Sequence, residues 1–360
     1  MTRTRLHAAL IALLAIVALS ACGGADDPAA DTDDEPTAAD AGGDEADDPG
    51  EATEAADDAG GADVTGFRVA YASDLDPNDM ADQLGLQAVD AEVTALTEDS
   101  AVAAGLNNGD FDIGNIDVTA AIKAIQGGVP LTIVYPSQNV PEFVMVAQAE
   151  YTEIADLEGA TVAYHAPGSL TEIVQRELVR QTDPALEDSI DWTVLPESPN
   201  RATAMAAGRI DATSLEFLDV LALQEEGEFT VLGSWGDLEG ESANALATAW
   251  VVSDEALETD RDRIEAFLTA IQEGYDTVYE DKDAWMAVAT EQIADIDEER
   301  LSEAYDYYTS IEMYPRAGEN PITEERWTGL DAFFRQIGEY EQEAPLDMVD
   351  LDLVEAVNGG

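Results

Sequence analysis

A helix start in the middle of this sequence carries the residue types that bind small anions. Residues 165–172, His-Ala-Pro-Gly-Ser-Leu-Thr-Glu, follow a predicted strand. Unpaired N–H groups and the positive end of the helix dipole attract negative charge at such a start. Gly168 would let a ligand approach the backbone, and Ser169 and Thr171 add hydroxyl groups. Ser169 and Glu172 also form the pattern Ser-x-x-Glu, which would cap the helix with no ligand present.

A second set of candidate side chains comes from an internal repeat. Residues 109–117, Gly-Asp-Phe-Asp-Ile-Gly-Asn-Ile-Asp, resemble residues 208–216, Gly-Arg-Ile-Asp-Ala-Thr-Ser-Leu-Glu. Each unit follows an alanine-rich helix and runs through a predicted strand to polar residues at its carboxyl end, where open α/β sheets bind ligands. These residues are Asn115 and Asp117 in one unit and Ser214 and Glu216 in the other. We therefore expect two similar lobes facing each other across a cleft, although such acids also cap helices.

Four other residues complete the candidate site. Ser73 and Asp74 follow the first predicted strand, and Ser100 begins the second helix of the same lobe. Arg201 could pair with a carboxylate or sulfonate through two parallel hydrogen bonds. Alternatively, Arg201 is a surface residue at the start of a helix and has no role in binding.

Alternating strands and helices must position these side chains. Strands are predicted at 67–72, 91–96, 111–114 and 131–135, with single helices between them. This order favours parallel βαβ units covered on both faces. The last hundred residues carry apolar stripes with helical spacing and are expected to pack as support. Tyr135 and Trp235 could stack on a flat ligand, although such aromatic residues more often belong to a core.

The N-terminal residues indicate export. Arg3 and Arg5 precede an apolar run at 8–19, which indicates a secretory signal peptide, and the ending Leu-Ser-Ala-Cys resembles the lipobox of bacterial lipoproteins. That resemblance implies acylation of Cys22, whereas an uncleaved membrane span would need a longer apolar run. Residues 25–64 contain no Lys, Arg or aromatic residue and predict a disordered acidic tether.

The body that follows is strongly acidic. Residues 67–360 hold 62 of the 78 acidic residues and 13 of the 15 basic ones, a net charge of −49. This charge argues against nucleic-acid and anionic-lipid partners. It suggests adaptation to high salt as a hypothesis, since salt screens the repulsion. With a single cysteine, the chain has no internal disulfide or cysteine metal site, and we expect no cofactor, no metal and a monomer.

Five ordered segments resemble type II periplasmic solute-binding proteins of ABC importers, in the branch for sulfonates, taurine, nitrate and thiamine precursors. The segments are 107–114, 128–134, 156–163, 167–169 and 206–212. The resemblance implies an α/β fold of two lobes. Each lobe is then a mixed, mainly parallel sheet flanked by helices, and a two-segment hinge joins them.

The resemblance also implies a division of the chain. It comprises a signal peptide at 1–21, the acylated cysteine and tether at 22–66, lobe one at 67–141 plus 246–360, and lobe two at 142–245. The apolar, β-prone segments 142–147 and 247–252 are expected to form the hinge.

The implied function is that of a lipid-anchored protein on the extracytoplasmic face of the bacterial membrane. It would capture a small organic solute and deliver it to the permease and ATPase subunits of an ABC importer. The preferred solute is a taurine-like sulfonate, held by Ser169, nearby N–H groups and Arg201. A flat pyrimidine, held by aromatic faces with Asp117 or Glu216, is the alternative, because two facing acids would repel a simple oxyanion.

Two further classes remain open at this point. His165 could be a catalytic base or a metal ligand in an enzyme of the same fold, for example one that modifies pyrimidines. However, the body has no second histidine, no cysteine and none of the common hydrolase, zinc-protease or P-loop motifs. The last class is a surface sensor that binds a solute and signals through a separate membrane protein.

Overall fold

The computed structural model describes residues 63–73, 75–293 and 296–359. The expected signal peptide, Cys22, most of the tether and Asp74 lie outside the described residues. The strands are β1 (Arg68–Tyr71), β2 (Glu92–Ala95), β3 (Ile113–Asp117), β4 (Leu131–Gln138), β5 (Val144–Gln148), β6 (Thr161–Tyr164), β7 (Asp191–Val194), β8 (Ala212–Leu215), β9 (Phe229–Ser234) and β10 (Thr248–Ser253). The helices are α1 (Met80–Val89), α2 (Asp99–Asn108), α3 (Val118–Gln126), α4 (Leu170–Thr182), α5 (Ser198–Ala206), α6 (Phe217–Glu226), α7 (Asp254–Thr259), α8 (Arg261–Glu280), α9 (Lys282–Gln292), α10 (Glu298–Ser310), α11 (Glu324–Gln336) and α12 (Leu351–Asn358).

The strands form two five-stranded sheets of the same construction. The first has the order β2-β1-β3-β10-β4 and the second the order β7-β6-β8-β5-β9. β1 is parallel to β2 and β3, and β6 is parallel to β7 and β8. β10 runs antiparallel to β3 and β4, and β5 runs antiparallel to β8 and β9. The expected two-lobed α/β fold with mixed sheets is therefore confirmed.

The two units of the sequence repeat occupy equivalent places in the two sheets. β3 and β8 each lie third in the order, between a parallel and an antiparallel neighbour. Each unit begins at a glycine in the left-handed region, with φ 74° at Gly109 and 61° at Gly208. That region is readily open to glycine, which explains why both units begin with it. The repeat predicted from the sequence is therefore a structural repeat.

The chain crosses between the sheets twice, at residues 139–143 and 235–247. The segments expected to form the hinge, 142–147 and 247–252, lie instead largely in β5 and β10. Four residues of each strand are buried. Apolar, β-prone residues suit a buried strand as well as a crossing segment, so the sequence pattern could not distinguish the two.

The C-terminal helices pack under the first sheet, as their apolar spacing predicted. The face of α8 from Ile264 to Val278 is buried, as are Trp285 and Trp327. Tyr135 and Trp235 are also core residues, which excludes the ligand-stacking role. Helix α8 lies so close to α1 that a Cβ at Gly274 would stand 2.7 Å from the backbone nitrogen of Gly85.

The ordered body begins before Phe67. Residues 63–66, which the sequence assigns to the tether, contact it directly. Arg263 Nε donates to the Asp63 carbonyl at 3.1 Å, and Gly66 N donates to the Asp90 carbonyl at 3.3 Å. Across the described ranges, no helix combines the length and the apolar character that a membrane span requires.

The α1–α8 contact yields a test of packing. We expect Gly274→Ala to lower the free energy of unfolding by about 2 kcal/mol, because the new methyl group meets backbone that cannot move aside locally. Gly236→Ala is the matched control, since its Cβ would find its nearest atom, Ser234 Oγ, at 3.6 Å. Urea unfolding should separate the two variants. Equal stability of both would contradict the close approach of the helices.

Candidate ligand-binding cleft

A cavity of about 360 Å³ lies between the two lobes and is open to solvent on one side. Its size falls in the range that holds a small organic molecule. Lobe one contributes the carboxyl ends of β1, β3 and β4. Lobe two contributes the turn before α4, the start of α5 and the end of β8, and the crossing segment 139–143 forms part of the wall. The cleft thus lies at the strand ends that the repeat indicated.

Most of the candidate residues meet at this cavity. Those that line it are Ser73, Asn115, Asp117, His165, Ser169, Thr171, Arg201 and Glu216. They come from five separate parts of the chain. The fold therefore gathers residues that the sequence could propose only one segment at a time.

Three candidate residues lie elsewhere. Ser100 is exposed and donates to Glu98, while its neighbour Asp99 faces the cavity. Gly168, with φ 79°, does not line the cavity, and a Cβ built on it would lie 3.1 Å from a carboxylate oxygen of Glu339, so glycine suits the turn at this position. The Ser214 hydroxyl is buried without a hydrogen-bond partner in the described structure, because alternation along β8 turns it into the lobe.

The turn before α4 uses most of its own polar groups. Ser169 Oγ accepts from Glu172 N at 3.3 Å, which confirms the capping role, and it pairs with Thr171 Oγ1 at 2.9 Å. Thr171 Oγ1 also accepts from His165 N at 3.0 Å. The N–H groups of Leu170 and Thr171, by contrast, find no acceptor within the described residues. The donors left for a ligand are therefore these backbone groups at the start of the helix.

His165 is also tied into lobe two. Its Nδ1 accepts from Glu197 N at 3.3 Å, and its ring lines the cavity. No group of three or more acidic, histidine or cysteine side chains in the described ranges is arranged to hold a metal ion.

The acids at the ends of β3 and β8 do not cap the helices that follow. Asp117 precedes α3 and Glu216 precedes α6, but neither side chain accepts a hydrogen bond from its helix. The first N–H of α6, on Phe217, donates instead to Glu142 at 3.2 Å. Burial raises the pKa of Asp117, with the nearby Asp99 as the second cause. Burial likewise raises the pKa of Glu216. Helix capping therefore does not explain either acid.

Asn115 is held by a buried network behind the cavity. Its Nδ2 donates to Asp82 at 3.3 Å, and its Oδ1 accepts from Ser137 at 3.3 Å. Asp82 also accepts from the hydroxyl groups of Tyr71 and Tyr275 at 2.9 and 2.6 Å. Burial raises the pKa of Asp82 to about 7, against the opposing effect of the two tyrosine bonds. Asn115 thus has a structural role in this network in addition to lining the cavity.

Arg201 is buried rather than on the surface, with only 1% of the residue exposed. Its Nε donates to the Ser214 carbonyl at 3.0 Å and its Nη1 to the Leu195 carbonyl at 3.3 Å. Burial lowers the pKa of this guanidinium, while Glu216 acts in the opposite direction. Carbonyl groups of lobe two thus occupy the Nε and Nη1 donors of Arg201. Its Nη2 group is left free for a ligand.

Glu142 connects the two lobes at the base of the cavity. Its carboxylate accepts from Asn78 Nδ2 at 2.7 Å and from the Tyr308 hydroxyl at 2.9 Å, both in lobe one, and from Phe217 N in lobe two. Beside it, the rings of Phe217 and Tyr307 stack 4.0 Å apart. Burial raises the pKa of Glu142. Glu142 therefore joins the lobes at this point, and the ion pair between Arg300 of α10 and Glu225 of α6, at 2.6 Å, joins them at another.

Sequence reasoning missed Asp79, Asp99 and Glu142, all of which line the cavity. Asp99 adjoins the chosen Ser100, and Glu142 begins a segment chosen for its apolar residues. Asp79 lies directly before α1. Its position after β2 would have pointed to Asp99. Nothing local distinguishes Asp79 from an ordinary first-turn acid, or Glu142 from an ordinary acid in a loop.

Comparison with known proteins gives a family and a fold. Residues 86–284 match the model of the NMT1/THI5-like family. No significant match is found among curated proteins. The ligand-binding component of an ABC-type import system from Staphylococcus aureus, solved with zinc bound, is 15% identical with a TM-score of 0.63, covering 81% of this chain and 98% of that one.

Two sulfonate-binding proteins share the same fold. The periplasmic aliphatic sulphonate-binding protein SsuA of Escherichia coli is 16% identical with a TM-score of 0.62, covering 79% of this chain and 91% of that one. The alkanesulfonate-binding protein SsuA of Xanthomonas axonopodis pv. citri, bound to MOPS, is 15% identical with a TM-score of 0.59, covering 79% and 98%. These neighbours confirm the periplasmic-binding-protein fold.

The buried acids predict how stability depends on pH. Acids whose pKa is raised by folding bind more protons in the native state than in the unfolded state, so stability falls as the pH rises. For Asp82 this window runs from its ordinary value near 4 up to about 7. We expect the free energy of unfolding to decrease between about pH 5 and pH 8, and Asp82→Asn to reduce the slope by up to about 1.4 kcal/mol per pH unit.

Urea titrations across this range, in high salt to screen surface repulsion, would measure the slope. A wild-type protein whose stability rises with pH would contradict the burial of these acids. Asp262→Asn, an exposed acid on α8, should leave the slope unchanged.

The connection through Glu142 can be tested by removing it. Glu142→Ala leaves three donors without their acceptor, and we expect it to lower the free energy of unfolding by about 3 kcal/mol. Tyr307→Phe is the matched control, because it removes one hydrogen bond to the Glu142 carbonyl and keeps the ring stack, at a cost of about 1 kcal/mol. Chemical denaturation would compare the two, and equal losses would show that the carboxylate does not join the lobes.

Proposed function

The chain belongs to the NMT1/THI5-like family, and we propose that it is the solute-binding component of an ABC importer. Its solved structural neighbours include binding components of such importers. The observation that carries the proposal is the cavity between the lobes, lined by acids that cap no helix and by N–H groups without an acceptor in the described structure. Such groups are costly to bury unless a ligand completes their interactions.

Capture would work by closure of the lobes around the solute. The two crossings at 139–143 and 235–247 are the places where the chain can bend. A solute that contacts both walls stabilises the closed arrangement by its additional contacts there. The permease would then recognise the closed form and receive the solute.

A small nitrogen-bearing sulfonate of the taurine type is the solute class that we favour. Its sulfonate group would meet the free N–H groups of Leu170 and Thr171 and the Nη2 group of Arg201. Its ammonium group would meet Asp117 or Glu216. A flat pyrimidine remains the alternative. It could not stack on Tyr135 or Trp235, which are buried in the core, but Tyr71, Phe143 and His165 line the cavity.

We further propose that the protein works outside the cytoplasm on a lipid anchor. Acylation at Cys22 would fix the N-terminus to the membrane, and the acidic residues up to 62 would hold the body away from its surface. The lobe boundaries at 141/142 and 245/246 complete this proposal, with each boundary falling inside a crossing segment.

Filling the cleft tests the function without assuming a ligand class. Ser73 is exposed at the rim of the cavity, so Ser73→Trp should obstruct it while sparing the core. A solute at 100 times its dissociation constant raises the free energy of unfolding by about 2.7 kcal/mol. Thermal-shift assays with sulfonates, amino acids, amines, nitrate, bicarbonate and pyrimidines should find a solute that stabilises the wild type but not Ser73→Trp.

Thr290→Trp, an exposed site on α9, is the control and should respond as the wild type does. The proposal fails if no solute stabilises the protein, or if stabilisation survives in Ser73→Trp. Chemical turnover of a stabilising solute would favour an enzyme instead.

A further inference from the structure

Charge is divided unevenly between the two walls of the cleft. The wall from lobe one carries four carboxylates and no basic side chain, namely Asp76, Asp79, Asp99 and Asp117. The wall from lobe two carries Arg201 and His165 together with Glu197 and Glu216. A solute between these walls therefore meets its strongest negative field on the side of lobe one.

Two of these carboxylates form an adjacent pair. Asp99 Oδ1 accepts the backbone N–H of Asp117 at 3.1 Å, which places the first turn of α2 against the end of β3. The Asp117 carboxylate itself accepts no hydrogen bond and pairs with no base within the described structure. Burial raises the pKa of both acids. Lys123 lowers both values, but its Nζ lies 2.6 Å from Glu339 and is engaged there.

A third acid of the same wall is almost completely buried. Asp79 is 9% exposed, lines the same cavity and accepts one hydrogen bond, from Asp76 N at 2.9 Å. Its second oxygen accepts none from the described residues. Lobe one thus buries more negative charge than its own donors compensate, and an external positive group would complete the set.

The positive charge of lobe two is already balanced within that lobe. Arg201 donates to two carbonyl groups and experiences the fields of Glu216, Asp219 and Glu197. A solute carrying only negative charge would bind to the N–H groups at the start of α4 and to one edge of the Arg201 guanidinium. It would also face the acids of lobe one without compensation.

We propose that the solute must carry a positively charged nitrogen, and that this nitrogen binds to Asp99 and Asp117. The sulfonate of a taurine-like compound is then secondary, and amines or guanidinium compounds with no acidic group bind as well. This inference rests on the proposed function of the cleft. It adds which group of the solute determines recognition.

Binding of such a cation should release protons from the acid pair. A guanidinium compound stays charged over the whole range, so its affinity should rise with pH as Asp99 and Asp117 ionise. Lys123 acts on the pair from α3, and the other titratable groups that line the cavity are Asp76, Asp79, Glu142, His165, Glu197, Arg201 and Glu216.

A matched set of small solutes tests the inference by calorimetry and thermal shift. Ethanolamine and taurine carry a cationic nitrogen, ethanesulfonate differs from taurine in lacking it, and agmatine adds a guanidinium group. Nitrate, a neutral pyrimidine and Mg²⁺ or Zn²⁺ alone complete the set. We expect that only the compounds with a cationic nitrogen bind. Their affinity should be about 30-fold lower or more in Asp117→Asn.

Asp262→Asn, an exposed substitution of the same kind, should bind as the wild type does. Thermal melting without solute would confirm that Asp117→Asn is folded, and Asp99→Asn gives a second reading of the same pair. Binding of ethanesulfonate, nitrate, the neutral pyrimidine or a metal ion, with no loss in Asp117→Asn, would overturn the inference and leave the cleft as a binding site. A cationic solute that binds Asp117→Asn and Asp99→Asn undiminished would overturn it too. If no solute of any class binds, the proposed function itself falls.

Discussion

The buried carboxylate of Glu142 joins the two lobes of this protein through hydrogen bonds to both. It receives donors from Asn78 and Tyr308 of lobe one and from Phe217 of lobe two. A buried carboxylate with three donors is well satisfied, but loss of its position would leave each donor unpaired. The positions of the two cleft walls relative to each other therefore depend in part on this contact. Closing or opening of the lobes must either preserve this contact or exchange its donors for water.

Buried acids behind and within the cleft differ in how their charge is satisfied. Asp82 receives two tyrosine hydroxyl groups and an amide, so its network is structural. Asp117 and Glu216 receive no comparable donors from the described residues and still occupy the cavity wall. Groups that raise the free energy of the folded protein without a structural role are found mainly where a ligand or a reaction uses them. The number of hydrogen bonds that each acid accepts therefore distinguishes structural acids from candidate ligand-binding acids more clearly than burial does.

The sequence predicted the fold and about a third of the cavity wall, for a physical reason. The repeat at Gly109 and Gly208 is visible because a glycine in the left-handed region precedes each strand, and polar residues that line the cavity lie at its carboxyl end. Asp79 and Glu142 carry no such local mark, since their role arises from elements far apart in the chain. The hinge was predicted at the apolar segment after Glu142, but most of this segment lies in β5. Buried strands and crossing segments can have the same apolar composition, so the sequence does not distinguish them.

The acidity of the whole body and the acidity of the cleft are separate physical matters. Exposed acids are solvated, and dissolved salt screens them within about 10 Å at 0.1 M ionic strength. The acids of the cleft are partly withdrawn from solvent, and burial has raised the pKa of Asp99, Asp117 and Glu216. Salt therefore weakens the general repulsion of the surface more than it weakens the field inside the cavity. Under the proposed function, charge discrimination in the cleft would therefore be less sensitive to salt than the surface is, because the acids assigned to recognition are less exposed to screening.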